Sequence, residues 1–218
     1  MIRLKLFGFP IQIHKFFWLL CLTIGFSRFI SGDTELIMIP VLVVIVFITM
    51  LWHELGHAFA RRKYGVDSKI VLGDLSTIGG AVSGFCAGEA NFTKRQVVKV
   101  AMTGPLYNLI IVALVFPLKY TPLLEYPHAE PMWELVWLSN LAWAIFNIAP
   151  VLPLDGGQIY RVARIGRGPL IVPLVGLLLS ILIAILGAIT GRYFATVLFG
   201  IFIYQNWMII RKKQYLTY

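Results

Sequence analysis

A continuous apolar run from Leu36 to Trp52 leads directly into the pentapeptide His53–His57, which reads His-Glu-Leu-Gly-His. A run of this length is typical of a helix that crosses a lipid bilayer. Ionisable side chains at membrane depth are costly, so they usually face a protein interior or a water-filled cavity and serve a function. The sequence therefore predicts a functional polar site inside a membrane-spanning helix.

The rest of the chain is also too apolar for a soluble domain of its size. Of its 218 residues, 59% are hydrophobic and 13% are charged, and the mean hydropathy is +0.82. We therefore predict an all-α polytopic membrane protein with a single domain over residues 1–218. There is room for about six transmembrane helices, which are expected at residues 16–31, 36–60, 96–118, 132–150, 169–190 and 193–210.

Residues 64–95 do not form a convincing further span, because their apolar stretches are short and interrupted by glycine. They predict a small β-hairpin or a re-entrant loop, which at membrane depth needs cover by protein or water. One interpretation is a strand edge that pairs with an extended substrate, and the other is an ordinary connecting loop. Residues 1–15 are expected to be a short extended or interfacial lead into an uncleaved first span.

The basic residues divide unequally between the two sides of the predicted membrane. With six spans, one side receives Arg28, Lys119 and Arg192, and the other receives the remaining sixteen lysines and arginines. Because basic loops stay in the cytoplasm, both termini are predicted to be cytoplasmic, in a plasma membrane of bacterial type. The net charge of +9 follows from these loops, so no nucleic-acid partner is expected.

The pentapeptide itself suits a metal site. On a helix, His53 and His57 lie four residues apart and present both imidazoles on one face, which offers two nitrogen ligands to a zinc ion. Glu54 beside them suits the general base that deprotonates an activated water. The alternative is a helix end whose two polar rings lie at an interface. Cys21 and Cys86 are too few and too far apart for a disulfide framework or a thiolate site.

A third ligand is expected from Asp155, where the fourth predicted span breaks. The segment Asn147–Gly157 contains two prolines and two glycines, and a broken helix lets a carboxylate point into a cavity. At 1.5 Å per residue, His53, His57 and Asp155 lie roughly 12, 6 and 9 Å from the same membrane edge. These three residues therefore predict one Zn²⁺ site, whose fourth position is open to water as in catalytic sites.

Three sequence blocks together resemble the site-2 protease family of intramembrane zinc metalloproteases. They are His53–His57, Gly104–Asn108 (Gly-Pro-Leu-Tyr-Asn) and Asn147–Gly157, in the family's order and on three separate predicted spans. The resemblance covers residues 36–160, and the compact form without a PDZ-like insertion is similar to the bacterial sporulation-type branch. One departure is the stretch before Gly79 and Gly80, which lacks the proline and aromatic residue that family members often carry there.

The resemblance implies zinc ligands His53, His57 and Asp155, with Glu54 as the catalytic acid and base. It also implies a groove shaped by Asn147 and Pro150. The full set of predicted substrate-binding residues is Asn147, Pro150, Asn108, Gly79 and Gly80.

The implied activity is zinc-dependent cleavage of transmembrane segments in membrane-anchored proteins, within the lipid bilayer. A transmembrane protein is then the substrate, and a regulatory membrane partner is compatible with that role. An alternative is a membrane metal transporter that uses the His/Asp cluster as a transit site. It is disfavoured because, beyond Glu54 and Asp155, the predicted spans offer only Glu134. An inactive scaffold is disfavoured because Glu54 and all three ligands are present.

Overall fold

The computed structural model of the chain describes residues 1–30, 32, 36–74, 84–88, 91–163 and 170–212. The described elements are, in chain order, β1 (Ile2–Leu6), β2 (Phe9–Ile13), α1 (Lys15–Ile30), α2 (Ile39–Lys63), β3 (Lys69–Leu72), β4 (Gly84–Ala87), α3 (Lys94–Val115), α4 (Ala129–Ile148), α5 (Asp155–Ala163), α6 (Ile171–Ile189) and α7 (Tyr193–Lys212). Short 3-10 helices lie at Leu36–Met38, Phe116–Tyr120 and Pro122–Glu125. The architecture is mostly helical, as predicted.

Four stretches of the described chain are helical, long and apolar enough to cross a membrane. They are Leu36–Lys63, Lys94–Tyr120, Ile171–Ile189 and Tyr193–Arg211. The spans predicted at 16–31 and 132–150 correspond to α1 and α4, which lie outside these four. Helix α1 has 16 residues, which is shorter than the ~20 residues of a typical transmembrane helix. In α4 two glutamates and two asparagines lower the hydropathy.

The β-structure is larger than the hairpin predicted after the second helix, so the fold is not all-α. The four described strands form one mixed sheet in the order β1-β2-β3-β4, in which only the β2–β3 pair is parallel. Ile11 pairs with Ile70 and Ile13 with Leu72, so the N-terminal segment is half of a sheet rather than a lead. A parallel pair needs a long crossover connection, and here α1 and α2 supply it.

The helix ends follow local chemistry. At the start of α3, the Thr93 hydroxyl accepts from the Gln96 backbone N–H, and the Thr93 N–H donates to Gln96 Oε1 at 2.8 Å. This reciprocal capping box satisfies two backbone N–H donors at the helix start. As predicted, the helix before Asp155 breaks: α4 ends at Ile148, and α5 begins at Asp155. The carboxylate is therefore presented at a helix start.

The main core joins the sheet, α1 and α2. Phe9, Ile11 and Ile70 of the sheet, Phe17 of α1 and Met50 of α2 belong to one apolar cluster, and each is at most 3% exposed. The polar pentapeptide lies one turn beyond Met50 on the same helix. The core thereby fixes the part of α2 that directly precedes the pentapeptide.

Candidate metal centre and active site

The buried face of α2 carries two of the predicted ligands. His53 and His57 are 2% and 7% exposed, and their Nε2 atoms lie 3.2 Å apart. One helical turn separates them, so both rings point into the same space.

The third predicted ligand comes from the start of α5. Asp155 Oδ2 lies 3.0 Å from His53 Nε2 and 3.2 Å from His57 Nε2. The loop that delivers Asp155 is tightly folded against the preceding backbone. A Cβ on Gly157 would lie 2.5 Å from the carbonyl oxygen of Val151, and one on Gly156 would overlap the carbonyl of Ile148. The two glycines after Asp155 therefore let α5 begin where its carboxylate reaches α2.

The spacing of the three ligand atoms fits a metal ion. In tetrahedral coordination with bonds of about 2.0–2.1 Å, ligand atoms lie ~3.3 Å apart, close to the three distances given above. Two imidazoles and a carboxylate are also a donor set that zinc accepts, with one position left for water or substrate. Among the described residues, His53, His57 and Asp155 are the one group of three or more His, Cys, Asp or Glu side chains arranged this way.

Both histidines are held from behind by hydrogen bonds at Nδ1. His57 Nδ1 lies 2.8 Å from the carbonyl oxygen of Val100, and His53 Nδ1 lies 2.7 Å from Asn108 Oδ1. Because a backbone carbonyl only accepts, His57 donates from Nδ1 and keeps the lone pair of Nε2 for a metal. Such outer partners fix the tautomer and the ring orientation of metal-binding histidines.

Glu54 lies beside the ligands and is 4% exposed. Its Oε2 atom is buried and has no hydrogen-bond partner within the described part of the chain. A buried carboxylate oxygen without a partner is costly, so this oxygen is available to take up a proton or to accept a hydrogen bond from water.

Strand β4 is the terminal strand of the described sheet and packs against α2. Cys86 lies on this strand. Burial raises the pKa of the Cys86 thiol to about 12. The thiol therefore stays protonated near neutral pH and does not act as a thiolate ligand.

The predicted substrate-binding residues have different environments. Asn147 is 5% exposed and donates to the carbonyl of Trp143 on its own helix at 2.9 Å, while Pro150 is half-buried. Asn108 is fully buried behind His53. Gly79 and Gly80 lie outside the described residues.

Two buried asparagines were not anticipated from the sequence. Asn140 on α4 bonds to Asn108 at 2.9 Å. Asn206 on α7 donates to the carbonyl of Leu152 at 2.9 Å, within the loop that precedes Asp155. Polar residues inside apolar helices are the feature that could have revealed both, but their partners lie on other helices.

The fold and the site together define a helical membrane protein with an open metal centre. No protein-family profile matches the chain. It is 31% identical over 159 residues to a zinc metalloprotease of Methanocaldococcus jannaschii. The aligned region covers 72% of this chain and 43% of that protein. A putative zinc metalloprotease of the same organism is 30% identical over 144 residues, 58% of this chain and 70% of that protein.

Stage IV sporulation protein FB of Bacillus subtilis is 25% identical over 149 residues, which is 68% of this chain and 46% of that protein. The solved structure of the site-2 protease from Methanocaldococcus jannaschii has the same fold, with a TM-score of 0.67 and 24% identity over 95% of this chain and 94% of that one. The chain belongs to the site-2 protease family of zinc metalloproteases. It spans less than half the length of the first curated relatives that it matches, at 43% and 42%.

Proposed function

We propose that the chain is a zinc-dependent endopeptidase that cleaves transmembrane segments of membrane-anchored proteins. The observation that carries this proposal is the position of the site. Three buried ligands and a buried glutamate meet at α2, and α2 is itself long and apolar enough to cross a membrane. A protease that acts only in water gains nothing from placing its metal helix there.

His53, His57 and Asp155 would hold the zinc, which polarises a carbonyl and activates water in sites of this kind. Glu54 then accepts the proton of the attacking water and returns it to the leaving amine. The unpartnered Oε2 of Glu54 suits this shuttle, because no neighbouring protein donor competes for the oxygen among the described residues. Asn108 and the Val100 carbonyl keep the two imidazoles oriented during the reaction.

A transmembrane substrate has to unwind locally, because a helical peptide bond is shielded by its own hydrogen bonds. An unwound segment has free backbone groups that can pair with a sheet edge. Strand β4 is the terminal strand of the described sheet and packs against α2, the helix that carries Glu54, so we assign it the role of docking the extended substrate. Asn147, Pro150, Gly79 and Gly80 remain predicted contacts along the same path.

The distribution of basic residues supports six spans with both termini in the cytoplasm and the metal centre toward the cytoplasmic side. In this arrangement α1 and α4 cross the membrane with the four long apolar helices, and residues 1–218 form one domain. A regulatory membrane partner is compatible with this arrangement.

The decisive experiment compares protein termini in host membranes that contain the wild-type chain or its Glu54→Gln variant. New termini inside transmembrane segments are expected only with the wild type, while both proteins retain zinc. Glu125→Gln is the matched control, because it removes an exposed carboxylate from the segment between α3 and α4, and it should cleave like the wild type. Equal cleavage by Glu54→Gln would refute the mechanism. Zinc uptake across the membrane without any cleavage would support the transporter instead.

A further inference from the structure

We infer that Asn140 is a positioning residue for the metal centre: it fixes the orientation of Asn108, which in turn holds His53 with Nε2 toward the metal. This role rests on the proposed zinc site. Asn140 lies on α4, is 4% exposed, and directs its hydrogen bonds to Asn108, Thr49 and Val136.

The orientation of the Asn140 amide follows from its partners. Asn140 Nδ2 donates to the backbone carbonyl of Val136 at 2.9 Å and lies 3.3 Å from Thr49 Oγ1. Because a backbone carbonyl can only accept, the nitrogen is committed to this side. The Oδ1 atom of Asn140 therefore faces α3, where it accepts from Asn108 Nδ2 at 2.9 Å.

The orientation of the Asn108 amide follows in the same way. Its Nδ2 donates to the backbone carbonyl of Thr49 at 3.2 Å and to Asn140 Oδ1. With both N–H groups used, the oxygen of Asn108 is the atom that faces His53 Nδ1, at 2.7 Å. His53 must then donate from Nδ1, which leaves the lone pair of Nε2 for a metal ion, on the side where Asp155 and His57 lie.

The network joins three helices at a depth where polar groups are expensive. Thr49 of α2, Asn108 of α3 and Asn140 of α4 are 3%, 0% and 4% exposed. Every amide hydrogen in the chain of contacts has an acceptor, and its end point is a metal ligand. Burying these polar side chains costs free energy. A network that served only packing would not need to end on His53, so we infer that its role is to hold the His53 ring.

The test measures zinc affinity of the full chain in detergent, by competition with a chelating fluorophore. Asn140→Leu removes the acceptor for Asn108 at similar volume and should raise the zinc dissociation constant about tenfold, within the range typical of outer-shell changes. Asn140→Asp in its protonated form, which burial favours, keeps an oxygen toward Asn108 and an O–H toward the Val136 carbonyl, and should stay within about threefold of wild type. Ser180→Ala is the control, because it removes a fully buried hydroxyl on α6 that has no hydrogen-bond partner among the described residues.

A double-mutant cycle separates positioning from packing. If Asn140 acts through Asn108, then Asn140→Leu has no further effect on zinc affinity in the Asn108→Leu background. Cobalt-substituted protein gives an independent readout, since its visible spectrum should change in Asn140→Leu but not in Ser180→Ala. Unchanged affinity in Asn140→Leu, additive losses in the cycle, or equal losses in Asn140→Asp and Asn140→Leu would each overturn the role. A wild-type chain without zinc would overturn the proposed function as well.

Discussion

At the residue scale, the metal centre depends on a position that has no side chain. Gly104 of α3 lies against the ring nitrogens of both histidines, and a Cβ there would come within 2.6 Å of His53 Nε2 and closer still to His57 Nε2. Contacts that short do not occur between real non-bonded atoms, so the rings would have to move. Gly104 therefore sets how closely α3 can cover the ligands.

The first prediction concerns Gly104→Ala. Helix propensity alone predicts that this change stabilises α3 by up to about 1 kcal/mol. We expect the opposite result: loss of bound zinc and of activity, because the new methyl group displaces the ligands. Metal analysis of the purified protein measures this. Gly200→Ala in α7 is the matched control, because a Cβ there meets nothing within 4 Å. One zinc per chain in Gly104→Ala would contradict the prediction.

At the scale of elements, Arg62 links the hairpin β1–β2 to the end of α2. Its Nη2 donates to the carbonyl of Phe7 at 2.7 Å, and its guanidinium lies 3.6 Å from the ring centroid of Phe9. Phe7 in the hairpin turn is 59% exposed, and its ring centroid lies 5.8 Å from that of Phe59 on α2. The sheet is thus tied to the same helix that carries the metal ligands.

The second prediction concerns Arg62→Gln, which removes the cation over Phe9. At an exposed position, we expect a loss of about 1 kcal/mol, which is roughly fivefold in the equilibrium for local opening. Chymotrypsin cleavage after Phe7 in detergent should accelerate by a similar factor. Arg3→Gln is the control, because it removes an equal charge from an exposed position of β1. Equal acceleration by both variants would show that charge alone, rather than this contact, controls the hairpin.

At the scale of the whole molecule, the chain joins two packed groups around the metal centre. One group contains the sheet, α1 and α2. In the other, Val151 and Leu154 of the loop before Asp155 pack with Phe199 and Phe202 of α7. His53 and His57 come from the first group, and the second group supports the loop that delivers Asp155. A bound metal would therefore connect parts of the chain that are about 100 residues apart.

The third prediction concerns the direction in which the whole chain crosses the membrane. In a background with Cys21 and Cys86 replaced by serine, Lys5→Cys and Glu125→Cys place single thiols at exposed positions in β1 and in the segment between α3 and α4. An impermeant maleimide should label Glu125→Cys in intact cells and Lys5→Cys only after the membrane is opened, because the basic segments stay in the cytoplasm. The reverse labelling pattern would exclude cytoplasmic termini.

The sequence by itself determined the features that depend on local pattern. Apolar runs indicate which segments can cross a lipid bilayer. The four-residue spacing of His53 and His57 indicates that both side chains lie on one helix face. The prolines and glycines around Asp155 predict a helix break, and the structure has one there, between the end of α4 and the start of α5. Each of these follows from the properties of neighbouring residues, so no knowledge of the fold was needed.

Only the tertiary structure decided which helices and strands contact one another, and through which residues. The parallel pairing of β2 with β3, the contact of Gly104 with the imidazoles and the hydrogen bond that Asn108 donates to Asn140 join distant segments. Their residues look ordinary in sequence, because an asparagine or glycine in an apolar helix has the same local pattern whether it faces a ligand or a neighbouring helix. Packing of α3 and α4 against α2 gives these residues their partners, and packing is a property of the assembled chain.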